Sequence, residues 1–123
     1  MVTWTYPKSK AISVYDGDTF TAMIDMGLDT LRRIDCRLYG CNAIELHMPG
    51  GKEAQANLQT LLLDKDLKIE VIKYDKYGGR HDVKVWLPDQ TELIPYLIEQ
   101  QWSAAWDGKG TKPTPPWPRT LEQ

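Results

Sequence analysis

The sequence predicts a small α+β protein, mainly β, in which five short strands form a barrel accompanied by two to three helices. Three observations favour this class: β-prone runs separated by short turns, an amphipathic helical segment between the third and fourth runs, and a proline-rich end. The chain has 123 residues, enough for one hydrophobic core and too few for two. Its 41% hydrophobic and 26% charged residues are typical of a globular domain and argue against disorder along the whole chain.

Three β-prone runs fall in the N-terminal third of the chain. They cover residues 11–14, 20–26 and 31–39, and turn segments rich in Asp and Gly separate them. In the third run, Ile34 and Leu38 belong to an apolar face that alternates with charged residues. The short spacing between the runs predicts a meander of antiparallel strands.

The strongest helical pattern lies in residues 52–63. Good helix formers (Glu, Ala and Gln) fill its first half. The apolar stripe at helical spacing consists of Ala54, Leu58, Leu61 and Leu62. This segment is therefore predicted to be a helix that packs one face on the barrel.

Two further strands and a second helix complete the pattern. Residues 67–74 alternate apolar and charged side chains, residues 82–87 are β-prone, and a glycine-bearing connection at 75–80 joins them. A helix is expected over residues 95–100, because Pro95 can occupy the first helical position, where an N–H has no intrahelical partner.

The resulting order is three strands, helix, two strands, helix and tail. This order fits a five-stranded OB-type barrel, although other small α+β folds share it. We expect one domain over residues 1–107 and a proline-rich, extended C-terminal tail over residues 108–123.

Hydrophobic runs, cysteines and net charge limit where the chain can be located and what it can bind. No run approaches the ~20 apolar residues that span a bilayer, and the N-terminus lacks the pattern of a secretory signal. We therefore expect no membrane partner and a cytoplasmic location, the alternative being a trimmed secreted form. Cys36 and Cys41 are expected as free thiols. The net charge of −2 counts against broad nucleic-acid binding, so a phosphate-binding function needs a local basic patch.

Residues 16–19 read Asp-Gly-Asp-Thr and form the first candidate motif. Two carboxylates beside a glycine turn, Asp16 and Asp18, can supply oxygen ligands to a hard cation such as Ca²⁺. The alternative is a plain Asx turn between two strands, which is the commoner meaning of such a motif taken alone.

The second candidate motif spans residues 37–45. The Arg37 guanidinium suits the oxygens of a phosphate, and the Glu45 carboxylate can hold or activate a water molecule. The alternative is a surface ion pair of little energetic value.

The third candidate motif spans residues 75–80. Lys76, Tyr77 and Arg80 combine two cations with an aromatic face, a set that can bind a phosphate and stack a base. The alternative is a polar hairpin loop. Together, the three motifs supply what phosphodiester hydrolysis requires: a cation site, an oriented water and fixed positive charge.

In this order, the motifs resemble those of the staphylococcal nuclease (thermonuclease) family, which has a DGDT turn, an RL…PE loop and a DKYGR hairpin around an OB-fold. The helix start at residues 51–54 is similar too, and the resemblance covers roughly residues 11–106. It implies a Ca²⁺-dependent nuclease that hydrolyses DNA or RNA to 3′-phosphate and 5′-hydroxyl products. We expect a monomer, either a cytoplasmic or a phage-encoded enzyme.

The resemblance also implies three catalytic residues. Arg37 and Arg80 match the two guanidinium groups on the scissile phosphate, and Arg80 should act most strongly in the transition state. Glu45 matches the acidic residue beside the attacking water.

Five further residues receive binding roles from the same resemblance. Asp18, Asn42 and the carbonyl of Ala43 match the Ca²⁺ ligands. Lys76 and Tyr77 match groups that contact the neighbouring phosphate and base.

The chain departs from the family pattern at several positions. Asn42 stands where the family usually has Asp, Ile44 replaces a proline, and Gly79 is an extra residue before Arg80. These departures keep open a catalytically inactive OB-fold module that binds nucleic acid or another partner.

A structural or interaction domain unrelated to the family is the third hypothesis. Three tryptophans near the C-terminus, Trp102, Trp106 and Trp117, can mark an interaction surface. They are expected instead to pack on the barrel, with Trp117 against the domain or exposed. His47 is expected to be exposed, and His81 to be a hairpin residue without a catalytic role.

Overall fold

The computed structural model describes residues 4–119, which form a mainly β structure with a closed five-stranded barrel and two helices. Around the barrel, the strands follow the order β1-β2-β3-β6-β5, and β4 and β7 form a separate two-stranded ribbon. Along the chain, the elements are β1 Trp4–Val14, β2 Thr19–Gly27, β3 Thr30–Leu38, β4 Cys41–Ala43, α1 Gly51–Leu62, β5 Leu67–Lys73, β6 His81–Trp86, α2 Leu93–Glu99 and β7 Ser103–Ala105.

The barrel is mixed rather than wholly antiparallel. β1, β2 and β3 pair antiparallel, which confirms the predicted meander, and β5 pairs antiparallel with β6 and with β1. β3 and β6 pair in parallel, with Cys36 opposite His81 and Leu38 opposite Val83. Closure leaves no free barrel edge for another chain to extend. The five-stranded barrel and the two helices are thus as the sequence predicts.

Along each barrel strand, every second side chain points into the core, because successive side chains of a strand point to opposite faces of the sheet. In β5, Leu67, Ile69 and Val71 point inward, and Val83 and Val85 of β6 meet them from the neighbouring strand. All five side chains are buried. Each contributes about 1.5–3 kcal/mol by leaving water, so the alternating pattern read from the sequence is also the main source of stability here.

Helix α1 closes one end of the barrel. It buries Ala54, Leu58 and Leu62, three of the four residues of the predicted stripe, whereas Leu61 is only partly buried. Gly17, in the loop between β1 and β2, lies in close contact with this end of the barrel. A Cβ at position 17 would lie 2.7 Å from that of Ala43 and 2.9 Å from that of Ala54. Glycine therefore lets the Asp-Gly-Asp loop approach the helix.

The largest differences from the sequence predictions concern β1 and the β4–β7 ribbon. β1 begins at Trp4 instead of residue 11, and its pairing with β5 shifts register between Tyr6 and Ser9, where Pro7 lies. A shift of register accommodates a residue that has no N–H to donate. The three-residue strands β4 and β7 have partners far away in the sequence, so no local pattern predicts them.

The second helix begins two residues earlier than predicted. It starts at Leu93, so Pro95 occupies its third position instead of its first. This is tolerated because the first-turn N–H groups have no intrahelical partners. Neither helix within residues 4–119 is long and apolar enough to cross a membrane.

Residues after β7 contain no regular element as far as residue 119, where the described part of the chain ends. They nevertheless contact the domain. The Asn42 side chain donates a hydrogen bond to the carbonyl of Pro113 (3.0 Å), and the Arg119 guanidinium lies 3.6 Å from the centre of the Trp102 ring. The predicted tail over residues 108–123 is thus described in part, and residues 120–123 lie outside the structure's description.

Candidate active-site cleft

A polar cleft of about 290 Å³ lies at the end of the barrel where β1 ends and β2 begins. Six of the eight residues that the sequence singled out line it, and they come from four separate segments of the chain. The full lining consists of Tyr15, Asp16, Asp18, Arg37, Asn42, Ala43, Glu45, Leu46, His47, Arg80 and Lys112.

Asp18 is the most deeply placed acidic residue of the cleft, with 5% of its surface exposed. Its Oδ2 accepts hydrogen bonds from the Ala43 N–H (2.9 Å) and from Nη2 of Arg37 (3.3 Å). Its Oδ1 accepts a hydrogen bond from the Thr19 hydroxyl (3.0 Å). The carboxylate is therefore fixed by three donors, which keeps its charge directed into the cleft.

Arg37, near the end of β3, is held as firmly as Asp18. Its Nη1 donates to the carbonyls of Leu38 and Cys41, both at 3.3 Å. Its Nη2 contacts Asp18 and the amide oxygen of Asn42, the latter at 3.2 Å. These contacts fix the orientation of the guanidinium, so that its charge is already positioned for an anion entering the cleft.

Asp16, which the sequence offers with Asp18 as a source of oxygen ligands but which is absent from the ligand set that the resemblance implies, also lines the cleft. Its Oδ1 accepts a hydrogen bond from the Asp18 N–H (3.0 Å), which forms an Asx turn. Burial and the neighbouring Asp18 carboxylate raise the pKa of Asp16 to about 6. A cation bound next to both carboxylates would relieve the repulsion that contributes to the raised pKa of Asp16.

The donors fit a hard divalent cation, although only as a partial shell. Oδ2 of Asp18 and Oδ1 of Asn42 both accept hydrogen bonds from Nη2 of Arg37, so in this structure the guanidinium occupies the point on which these two oxygens converge. Asp16 adds a third side chain with oxygen donors. Ca²⁺ takes six to eight oxygen ligands, so water and substrate would have to complete the shell. Within residues 4–119, no group of three or more His, Cys, Asp or Glu side chains is arranged to hold a metal.

Glu45 lies just beyond β4 and is exposed at the cleft. Its Oε2 is 3.5 Å from Nε2 of His47, and the His47 side chain is 75% exposed, as the sequence predicts. The Glu45 carbonyl accepts a hydrogen bond from the Met48 N–H (3.0 Å), which fixes the backbone turn that follows. The carboxylate therefore reaches solvent from a defined backbone position.

Arg80 reaches the cleft from the connection between β5 and β6. Its guanidinium has no hydrogen-bond or ion-pair partner among the described residues, in contrast to Arg37. The connection itself is anchored at Asp75, whose Oδ1 accepts a hydrogen bond from the Tyr77 N–H (2.8 Å). At Gly79, a Cβ would collide with the Asp75 carboxylate, so a larger residue there would require the Asp75 side chain to move.

Lys76 and Tyr77 do not line the cleft. They lie at the tip of the connection, where Tyr77 is 87% exposed and the Lys76 ammonium is 5.2 Å from its ring centre. Their predicted contacts with a neighbouring phosphate and base thus stay predictions, and the substrate would have to extend beyond the cleft to reach them.

His81 belongs to the hairpin that β5 and β6 form, in agreement with the sequence prediction. It is the first residue of β6, is buried, and stacks on Tyr74 with ring centres 4.7 Å apart. Its Nδ1 accepts a hydrogen bond from the Asp75 N–H (2.7 Å). Burial, followed by the nearby Arg32 charge, lowers its pKa. His81 is therefore a strand residue that anchors the connection, and its side chain does not line the cleft.

Both cysteines are buried free thiols, as expected. Burial raises the pKa of Cys41 to about 11 and raises the pKa of Cys36 further. Because the thiolate is the nucleophilic form, neither cysteine can serve as a nucleophile at neutral pH.

Lys112 is the cleft residue that sequence reasoning missed entirely. It lies in the segment after β7, within a stretch of Gly, Lys, Thr and Pro that carries no recognisable motif. Only the folded path of that segment brings its charge to the cleft, so nothing in the local sequence could have identified it.

No protein-family model matches the chain, and no curated protein matches it either. The likeness to the staphylococcal nuclease family therefore rests on the three short sequence motifs.

Proposed function

We propose that this protein is a Ca²⁺-dependent phosphodiesterase that hydrolyses DNA or RNA, built on an OB-type barrel. One observation supports this most: Asp18, Arg37, Glu45 and Arg80, from four separate segments, line the same polar cleft. A pair of carboxylates, an exposed carboxylate and two guanidinium groups are the components that hydrolysis of a phosphodiester requires.

The two arginines have different roles in this proposal. Arg37 is fixed by four contacts and binds the scissile phosphate on entry. Arg80 has no partner among residues 4–119 and is free to follow the negative charge that grows on the phosphate oxygens. An interaction that strengthens in the transition state accelerates the reaction, whereas uniform binding does not.

Glu45 orients the water and accepts its proton. The water oxygen forms a bond to phosphorus as the bond from phosphorus to the 5′ oxygen breaks. The leaving oxygen takes up a proton, which gives 3′-phosphate and 5′-hydroxyl ends. An exposed carboxylate at the mouth of the cleft suits this role because it can exchange its proton with solvent.

When bound, Ca²⁺ would withdraw charge from a phosphate oxygen, and Asp16, Asp18 and Asn42 would hold it. Without it, the carboxylates of Asp16, Asp18 and Glu45 repel a polyanion. The three cations that face them in the cleft, those of Arg37, Arg80 and Lys112, only balance this charge. Ca²⁺ is thus expected to strengthen substrate binding, and without the metal binding is expected to be weaker but detectable at low salt.

The test is cleavage of end-labelled single-stranded DNA and RNA at low salt, with millimolar Ca²⁺ or with a chelator. We expect cleavage with Ca²⁺ alone, 3′ ends that a phosphatase can trim, and loss of cleavage in Arg37→Ala. Arg33→Ala is the matched control, because Arg33 is exposed on the same strand and lies outside the cleft. Cleavage that survives the chelator or the Arg37 change would refute the proposal.

A catalytically inactive nucleic-acid-binding module is the alternative, and one observation favours it. Asp18 and Arg37 already neutralise each other, and Asn42 already binds both Arg37 and the carbonyl of Pro113. Binding of labelled oligonucleotide without any cleavage at saturating Ca²⁺, by a folded sample, would support this alternative.

A further inference from the structure

The segment that follows β7 crosses the mouth of the cleft. It leaves β7 next to β4, where the Trp106 N–H donates to the Gly40 carbonyl (2.9 Å). The Trp106 indole N–H then donates to the carbonyl of Lys109 (2.9 Å) and closes a tight turn. This turn directs the next residues, including Lys112, toward the cleft.

Asn42 holds this segment in place. Its Nδ2 donates to the carbonyl of Pro113, while its Oδ1 accepts from Arg37. An aspartate at position 42 would have no donor and would face the carbonyl oxygen with a negative charge. The amide is thus the side chain that can contact the arginine and the tail together, which gives a physical reason for the departure from the family pattern.

Trp117 provides a second attachment. Its ring packs on Gly50, at the start of α1, so closely that a Cβ at position 50 would lie 2.5 Å from the indole. Gly50 also has a φ of 90°, a conformation that glycine adopts without strain. The Arg119 guanidinium stacks over Trp102 beyond it. The segment is therefore anchored on both sides of Lys112.

The Lys112 ammonium is not neutralised. It lies 5.5 Å from the centre of the Trp106 ring, on which Arg37 also packs at 5.7 Å, and no carboxylate among the described residues pairs with it. It lines both the cleft and the groove that adjoins it along Glu45 and Pro115. A cation held at this border faces the path that a bound strand would take out of the cleft.

We propose that the tail is a fixed wall of the substrate site and that Lys112 binds a backbone phosphate next to the scissile one. This inference rests on the proposed function, because it assigns the substrate as a single-stranded polyanion that passes between the barrel and the tail. Lys112 acts in binding, and Asn42 and Trp117 act as positioning residues for the tail.

The first experiment measures binding without catalysis. Anisotropy of a fluorescent oligothymidylate is recorded in chelator at several salt concentrations. Lys112→Ala should weaken binding about fivefold to tenfold at low salt and reduce the slope of log affinity against log salt by about 0.7. Lys112→Arg should restore both values. Lys109→Ala is the matched control, since the contacts of Lys109 in the tail are made by its backbone.

The second experiment tests the fixed tail. Trp117→Ala should weaken binding about as much as Lys112→Ala although the lysine is still present. The double variant should be no weaker than either single variant, because both changes remove the same contact. Additive losses would mean that Trp117 affects binding independently of Lys112, which would overturn the fixed wall, and thermal unfolding of each variant shows whether folded protein has been lost.

The outcomes separate this inference from the proposed function. If the wild type binds but never cleaves, and Lys112→Ala still binds more weakly than Lys109→Ala, the nuclease proposal fails and the tail site stands. If cleavage occurs, the KM of Lys112→Ala should rise severalfold with kcat within about twofold. Equal binding by Lys112→Ala, Lys109→Ala and the wild type would overturn the tail site.

Discussion

The two ends of the barrel use similar residues for different purposes. At the end near α1, Arg37 packs on Trp106 within the polar cleft of about 290 Å³. At the opposite end, Arg32 packs on Tyr74 beside a cavity of about 210 Å³ whose lining is mostly apolar. The arginines lie 5.7 and 5.5 Å from the ring centres, so the cation–aromatic contact alone does not distinguish them.

What distinguishes the two arginines is the set of acceptors around each guanidinium. Arg37 contacts two carbonyls, the Asn42 amide and the Asp18 carboxylate. Arg32 donates to the phenol oxygen of Tyr74 at 3.1 Å. The Arg37 guanidinium is surrounded by fixed acceptors, one of which is the Asp18 carboxylate, and it lies in the polar cleft. The Arg32 guanidinium contacts a phenol and lies on the rim of the apolar cavity. The groups around each arginine, rather than the residue type, therefore determine what its guanidinium can do.

The loop between β1 and β2 is the reason for this asymmetry. Gly17 allows its carboxylates to lie against β4 and α1, next to the end of β3. At the opposite end, the cavity is bordered by side chains such as Trp4 and Met26. Helix α1 therefore both completes the core and supports the acidic loop.

The largest expected effect is the loss of activity when the cleft loses its unpartnered arginine. Arg80→Ala should reduce turnover about 100-fold to 1000-fold, because it removes a donor that acts mainly on transition-state charge. Arg32→Ala, at the opposite end, should leave turnover within about twofold. The measurement is single-turnover cleavage at saturating substrate, with the melting temperature of each variant as a control for folding.

Either of two results would contradict the difference in function that is expected between the two ends of the barrel. A loss in Arg32→Ala as large as that in Arg80→Ala would mean that both ends contribute to catalysis. Normal turnover in Arg80→Ala would remove Arg80 from the site and leave the inserted Gly79 as the physical reason, since one extra residue shifts the arginine along the connection.

The sequence predicted the elements that have a strong local pattern. The stripe of α1 and the alternation of β5 are visible in a few consecutive residues, because burial on one face repeats with the period of the element. The starting residue of β1 was not predictable in this way. Pro7 and the lysines around it argue against a strand locally, and pairing with β5 and β2 outweighs that local preference.

Only the cleft residues that belong to a recognisable sequence motif could be predicted. The three motifs named Asp18, Arg37, Asn42, Ala43, Glu45 and Arg80, and the fold brings all six to one cleft. Asp16 belongs to the first motif, but its role depends on its distance from Asp18. The position of Lys112 depends on the path of residues 106–112 after β7, fixed by contacts with Asn42 and Trp106, and no local rule specifies such a path.

A smaller effect is expected at the tip of the connection between β5 and β6. Tyr77→Ala should raise KM about fivefold to tenfold with little change in kcat, because stacking on one base contributes about 1–3 kcal/mol. Its exposure means that the free energy of unfolding should change by less than about 0.5 kcal/mol. Initial rates on RNA and single-stranded DNA measure the first quantity, and urea unfolding measures the second.

Trp4→Ala is the matched control for Tyr77. Trp4 is also an exposed aromatic residue, but it borders the apolar cavity and does not line the cleft. If both changes raise KM equally, the effect reports general loss of aromatic surface, and the role of Tyr77 as a base platform is wrong.

The smallest expected effect lies at the apolar end and concerns pH. Burial lowers the pKa of His81, with Arg32 adding to the shift and Asp75, Asp35 and Asp82 opposing it. The unfolded chain therefore takes up a proton on this residue at a higher pH than the native state does. The stability that the neutral His81 provides is complete above pH 6.5 and declines as the pH falls from about 6.5 through its lowered native pKa.

His81→Gln should remove that part of the decline, because the glutamine amide oxygen can still accept the Asp75 N–H and carries no proton to exchange. Urea unfolding between pH 7.5 and pH 5 gives the free energy of unfolding of the variant and of the wild type. The difference between the two isolates the contribution of His81, because the contribution of the carboxylates cancels. His47→Gln is the control, since that side chain is exposed at the cleft and its replacement leaves the contact between Asp75 and His81 intact. If His47→Gln changes the curve and His81→Gln does not, the cleft rather than the apolar end couples folding to pH, and the contrast between the two ends is reversed.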